Sequence, residues 1–116
     1  MEAGPIRVMI ADDSLIFRET ITALLAQDPD ILVVASAANG REAFALAGKH
    51  APEVVLMDIR MPECDGIEGT KLIKEHYPRM KVIIFTTFED QDYITEALRY
   101  GAEGYVLKDS GQDHIR

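Results

Sequence analysis

The chain has 116 residues, with 12 Lys and Arg against 20 Asp and Glu, a formal net charge of −8, and 47% hydrophobic residues. That length supports one domain burying roughly two-thirds of the surface its unfolded form exposes, the apolar share excludes a disordered chain, and the acidic balance excludes a nucleic-acid grip by these residues themselves, since neutralising phosphates needs a basic surface. The lone Cys64 excludes an internal disulfide or cysteine metal cluster; no apolar run approaches the roughly 20 residues of a membrane span; and Met1 to Pro5 is too short and acidic for a signal peptide, so a cytoplasmic location with no membrane partner is expected.

The first apolar run, Ile6 to Ile10, predicts a strand, and Ser14 is placed to cap a helix whose Phe17, Ile21, Leu24 and Leu25 repeat at helical spacing. Ile31 to Ala37 predicts the second strand. Asn39 with Glu42 three residues on has the form of a capping box, opening a helix that turns Ala43, Leu46 and Ala47 inward and stops at Pro52. Val54 to Met57 is the third strand; the helix after it starts near Gly66, puts Ile67, Thr70 and Ile73 on one stripe, and stops before Pro78. Val82 to Phe85 is the fourth strand. The last helix starts near Asp90, carries Ile94, Ala97 and Leu98 inward, and ends at Gly101, suited to a left-handed cap. Gly104 to Leu107 is the fifth strand, and only Asp109 to Arg116 follow, too few for another covering helix of normal length.

Short β-branched runs alternating with amphipathic stretches mark βαβ units, and strands apolar throughout belong to a parallel sheet covered on both faces. With right-handed crossovers, the expected fold class is α/β: a flavodoxin-like, doubly wound, parallel five-stranded sheet in the order 2-1-3-4-5, its fifth helix truncated or absent. Ligand chemistry in such a sheet sits at the carboxyl ends of the strands.

At those ends lie Asp12 and Asp13 after the first strand, Asp58 after the third, Thr86 and Thr87 after the fourth, and Lys108 after the fifth. Singly, an Asp pair reads as a solvated loop, the threonines as β-formers and Lys108 as a surface charge. Asp58 is harder to dismiss, because an apolar strand delivers it to a place where an unpaired charge is costly. Independent accidents at four strand ends are improbable. Three converging carboxylates cannot all stay ionised without compensation, and a hard cation that takes oxygen ligands, Mg²⁺, resolves the conflict.

The segments Ala11-Asp12-Asp13-Ser14, Met57-Asp58-Ile59-Arg60-Met61-Pro62 with Asp65-Gly66, Phe85-Thr86-Thr87-Phe88, and Gly104-Tyr105-Val106-Leu107-Lys108-Asp109 together resemble the receiver domain of two-component response regulators. The likeness runs from about Ile6 to Asp109 and is greatest to the nitrate-regulator-type subfamily, in which a receiver precedes a helix-turn-helix domain. The resemblance implies that residues 1–116 are one receiver domain and that DNA is reached only through a C-terminal domain absent from this chain. It implies that Asp58 accepts a phosphoryl group from a phosphohistidine of a sensor histidine kinase, that Asp13, Asp58 and the backbone carbonyl of Arg60 bind Mg²⁺ with Asp12 acting through water, and that Lys108 and Thr86 contact phosphoryl oxygens. Thr86 and Tyr105 would form the switch that alters the surface of the fourth helix and fifth strand and so controls an output, transcription. Such a domain catalyses its own aspartyl phosphorylation and dephosphorylation but is regulatory, not an enzyme in its own right. A second copy, as a homodimer, is a candidate partner.

Arg60 and Phe88, each two residues beyond a site residue, are candidates for controlling the access of hydrolytic water, and Pro62 and Gly66 for shaping the loop. In the family a fifth helix covers the sheet beside the first; without it, apolar residues of strands 1, 3 and 5 are expected to be exposed and to favour self-association. Three rivals are weaker. A flavodoxin-like cofactor binder would not place Asp12 and Asp13 where a phosphate is gripped. A receiver-like module that accepts no phosphate would lack one of the key positions. A hydrolase with an Asp nucleophile would need an acid-base partner at position 60, where Arg stands.

Overall fold

A computed structural model of the chain describes residues 4–108. Strands and helices alternate as β1 (Ile6–Ala11), α1 (Leu15–Leu25), β2 (Ile31–Ala37), α2 (Gly40–His50), β3 (Val54–Met57), α3 (Gly66–His76), β4 (Lys81–Thr86), a 3-10 turn (Phe88–Asp90), α4 (Gln91–Arg99) and β5 (Gly104–Leu107). The five strands form one parallel sheet in the order β2-β1-β3-β4-β5. The expectation about a fifth helix falls on residues 109–116, outside the described residues. No helix among those described is long and apolar enough to cross a membrane.

The helix ends follow their local chemistry. Ser14 Oγ accepts from the Phe17 N–H at 3.2 Å, Asn39 Oδ1 from Glu42 at 2.9 Å, and Asp65 Oδ1 from Glu68 at 2.9 Å. The return arm of the capping box lands one residue early, Glu42 Oε1 accepting from Ala38 at 2.6 Å. Ala51, in the left-handed region at φ 49°, turns the chain out of α2 ahead of Pro52, and Gly101 at φ 113° does the same after α4.

One sheet face packs Met9, Ala11, Val55, Met57, Val82 and Ile84 against the inner stripes of α2, α3 and α4. The opposite face carries α1, which lies over β1 and β2. Three sequence expectations need correction here. Val8 and Ile10 of β1 are buried on that face, because β1 sits between β2 and β3 beneath the helix; the apolar exposure of β1, β3 and β5 there is confined to Ile6 at the start of β1, 45% accessible, and Val106 on edge strand β5, 47% accessible, while Val54 and Leu56 of β3 are half-buried. Leu24 is 56% accessible, since α1 rests on a narrow stripe through Phe17, Ile21 and Leu25 that Leu24 flanks. Leu98 likewise flanks the Ile94 and Ala97 stripe of α4 and faces a groove.

Candidate functional site

The ladder of β1 continues past its last residue and sets the site. Asp12 N–H donates to the Ala37 carbonyl at 2.9 Å, and Asp58 N–H to the Ala11 carbonyl at 2.9 Å, so the backbones that carry the two carboxylates are locked side by side at the sheet edge. Asp12 and Asp58 are buried and Asp13 is exposed. Oxygens of all three lie within 4.8 Å of one another. From the end of β5, Lys108 Nζ donates to Asp12 Oδ2 at 2.8 Å and to Asp58 Oδ2 at 3.1 Å, and sits 4.2 Å from the ring centroid of Phe17, a further favourable place for a cation. The other oxygens accept backbone donors, Asp12 Oδ1 from Ser14 and Asp58 Oδ1 from Ile59, each at 2.8 Å.

Burial pushes the Asp58 carboxyl above its usual range, with Asp12's charge acting the same way and Lys108 opposing. Burial alone would lower Lys108, but its hydrogen bond to Asp12 and the charges of Asp58 and Asp12 outweigh it and hold the ammonium charged. Three carboxylates are thus answered by one ammonium, and the net negative charge is the kind a hard cation satisfies.

Gly66 fixes how closely α3 approaches this centre. Its N–H donates to the Ile59 carbonyl at 2.8 Å, and a Cβ there would lie 1.9 Å from the Asp58 carbonyl oxygen. Only glycine fits.

Thr86, from the end of β4, is buried close to Asp58. Its hydroxyl nevertheless donates elsewhere, to Asp90 Oδ2 at 2.8 Å. Arg60 Nε donates to Asp90 Oδ1 at 2.6 Å, so this side chain is engaged in an ion pair across to the start of α4. The corresponding expectation for Phe88 falls outside the described side chains. Tyr105 is half-exposed and lines a groove of about 300 Å³ with Ile94, Leu98 and Leu107. Sequence reasoning placed Asp90 only at a helix start; the signal it offered was an acidic residue one helical turn beyond Thr86.

The sheet order defines a flavodoxin-like domain with three carboxylates grouped at the carboxyl edge of its sheet. A family model described as the response regulator receiver domain matches residues 8–116, and the chain belongs to that family. It is 49% identical over 110 residues to the transcriptional regulatory protein LnrK of Bacillus subtilis (strain 168), covering 95% of this chain and 50% of that protein. The receiver domain of the response regulator NarL from Mycobacterium tuberculosis is similar at a TM-score of 0.85 and 31% identity, over 92% of this chain and 86% of that one. A chain of the CheX-CheY-BeF3-Mg²⁺ complex from Borrelia burgdorferi is similar at a TM-score of 0.84 and 27% identity, over 90% and 79%. The chain spans about half the length of the curated relatives it matches. It is therefore a receiver domain of the two-component response regulators, with transcriptional regulators among its relatives.

Proposed function

We propose that this domain is a phosphorylation-dependent switch in which Asp58 is the phosphoacceptor and a sensor histidine kinase the donor. The observation that carries this reading is the burial of Asp58 against Asp12, with Asp13 within reach of one cation and Lys108 on the same oxygens. A carboxylate oxygen of Asp58 attacks phosphorus, the P–N bond of the phosphohistidine breaks with its electron pair returning to the imidazole, and an acyl phosphate forms. Lys108 neutralises one phosphoryl oxygen as a point charge. Thr86 donates its proton to another in a charge-assisted bond.

The all-oxygen donor set and its surplus negative charge fit Mg²⁺, with Asp13, Asp58 and the Arg60 carbonyl as direct ligands and Asp12 through a water. Bound there, the ion would neutralise the phosphoryl oxygens and align them, where most phosphoryl-transfer catalysis lies. The new group brings roughly −1.5 to −2 charge, Thr86 turns toward it, and Tyr105 moves into the space Thr86 leaves. The α4 and β5 surface then favours a second copy or an output domain outside this chain, through which DNA is reached and transcription controlled in the cytoplasm. Self-catalysed phosphorylation and loss of phosphate serve this regulation.

A module that no longer accepts phosphate would lack one of these residues, and all stand in place. The test is incubation with acetyl phosphate and Mg²⁺ followed by intact mass. A gain of one phosphoryl group that disappears in Asp58→Asn is expected; no gain, or a gain that survives the substitution, overturns the reading.

A further inference from the structure

Asp90 stands at the N-cap position of α4, where a carboxylate ordinarily accepts the free N–H groups of the first turn, yet its side chain makes no such bond. It is 1% accessible, and both oxygens are turned inward. Oδ2 accepts from Thr86 Oγ1 at 2.8 Å and Thr87 Oγ1 at 3.2 Å, and Oδ1 from Arg60 Nε at 2.6 Å. One carboxylate thus gathers donors from the end of β4 and from the loop after Asp58. A hydroxyl has a single proton, so Thr86 donates to Asp90 or to a phosphoryl oxygen on Asp58, never to both.

We propose that Asp90 is a positioning residue that latches the resting state, holding the Thr86 proton until a phosphoryl group on Asp58 competes for it. The inference rests on the phosphoacceptor reading of Asp58. The competition sets how far phosphorylation moves the switch: a stronger hold at Asp90 raises the phosphoryl contact energy needed to turn Thr86, and a weaker hold lowers it. Release also bears on α4 directly, because the carboxylate that loses Thr86 stands at the N-cap of that helix.

The test is a double-substitution cycle between Asp90→Asn and Thr86→Val. Beryllofluoride with Mg²⁺ serves as a phosphoryl stand-in, and urea unfolding reads the metal-free protein. A charge-assisted hydrogen bond is about twice as strong as a neutral one, so Asp90→Asn is expected to tighten beryllofluoride binding by about tenfold when Thr86 is present. The change should vanish on Thr86→Val, and the two residues should be coupled in metal-free unfolding. The surface variant Arg60→Met, on a side chain 68% accessible, covers the case in which Asp90→Asn does not fold. It removes the positive charge on the other carboxylate oxygen, leaves more negative charge to hold the Thr86 proton, and should weaken beryllofluoride binding by about threefold, again only with Thr86 present. An unchanged affinity, or one that changes equally in the Thr86→Val background, overturns the latch. Absence of Asp58-dependent beryllofluoride binding in the unaltered chain overturns the phosphoacceptor reading and the latch with it.

Discussion

At Lys108 one ammonium answers two buried carboxylates, at 2.8 Å from Asp12 and 3.1 Å from Asp58. Lys108→Met would leave both charges facing each other, and the metal-free domain should lose about 2 kcal/mol at neutral pH. The pH dependence has a definite sign. A carboxyl whose folded pKa is raised above its ordinary 3.8, as for Asp58, lowers stability above the raised value, and that cost fades as pH falls toward the ordinary one. Losing Lys108 raises Asp58 further, so the gap between the two proteins should narrow on acidification. Urea unfolding without divalent ions, at neutral and mildly acid pH, measures it; a constant gap would contradict the assignment of Lys108 as their counter-charge. Asp13 gives a cleaner probe, being exposed and so removable without disturbing the core. Mg²⁺ at a hundredfold excess over its Kd should stabilise the domain by about 2.7 kcal/mol, and Asp13→Asn should abolish most of that gain in a thermal unfolding scan. The acidic trio and Lys108 were legible in the sequence because each stands where an apolar run stops. Asp90 was not, since an acidic residue before a helix reads as a cap and the sequence does not tell which way its carboxylate turns.

The start of α3 and the end of β3 are one device. Gly66 brings the first turn of α3 against the Asp58 carbonyl, with room for no side chain, while Asp65 caps that turn at 2.9 Å. Gly66→Ala should cost about 3 kcal/mol, a large value of the kind a forced backbone displacement produces, and should slow phosphorylation of Asp58 beyond what the lost stability explains. Denaturation midpoints together with acetyl phosphate labelling rates would show it; labelling at the original rate in folded protein would mean the close approach does not position Asp58. The elements themselves could be read from the sequence because strand and helix periods differ sharply; β1 ran longer by Ala11, and β4 by Lys81 and Thr86. What periodicity left open was angle. A helical repeat gives the width of an apolar stripe but not its rotation against the sheet, which is why Leu24 and Leu98 fall beside their contacts instead of within them.

Across the molecule, among the described residues, the two sheet faces are unequally covered. Residues of α2, α3 and α4 are fully buried on one face. On the other, α1 has no buried residue and exposes Leu15, Ile16 and Leu24. This loosely packed helix is fastened mainly at its beginning, and the fastenings belong to the site. Ser14 N–H donates to Asp12 Oδ1 at 2.8 Å, Arg18 Nη1 to the Asp12 carbonyl at 2.6 Å, and Lys108 covers Phe17. Regions with few buried apolar contacts open below the global unfolding free energy, so α1 should exchange its amide hydrogens through a local opening while α3 and β3 exchange only on global unfolding. In the metal-free domain the amides of Ile21 to Leu25 should exchange at least about tenfold faster than that of Ile73, a difference of about 1.4 kcal/mol or more. Cation binding at Asp12, Asp13 and Asp58 steadies the loop to which α1 is tied, so Mg²⁺ should slow exchange in α1 by a larger factor than the domain as a whole gains. Hydrogen exchange followed by NMR separates these cases. Equal protection of α1 and α3 without the ion, or equal slowing with it, would show that α1 is held by the sheet and not by the site.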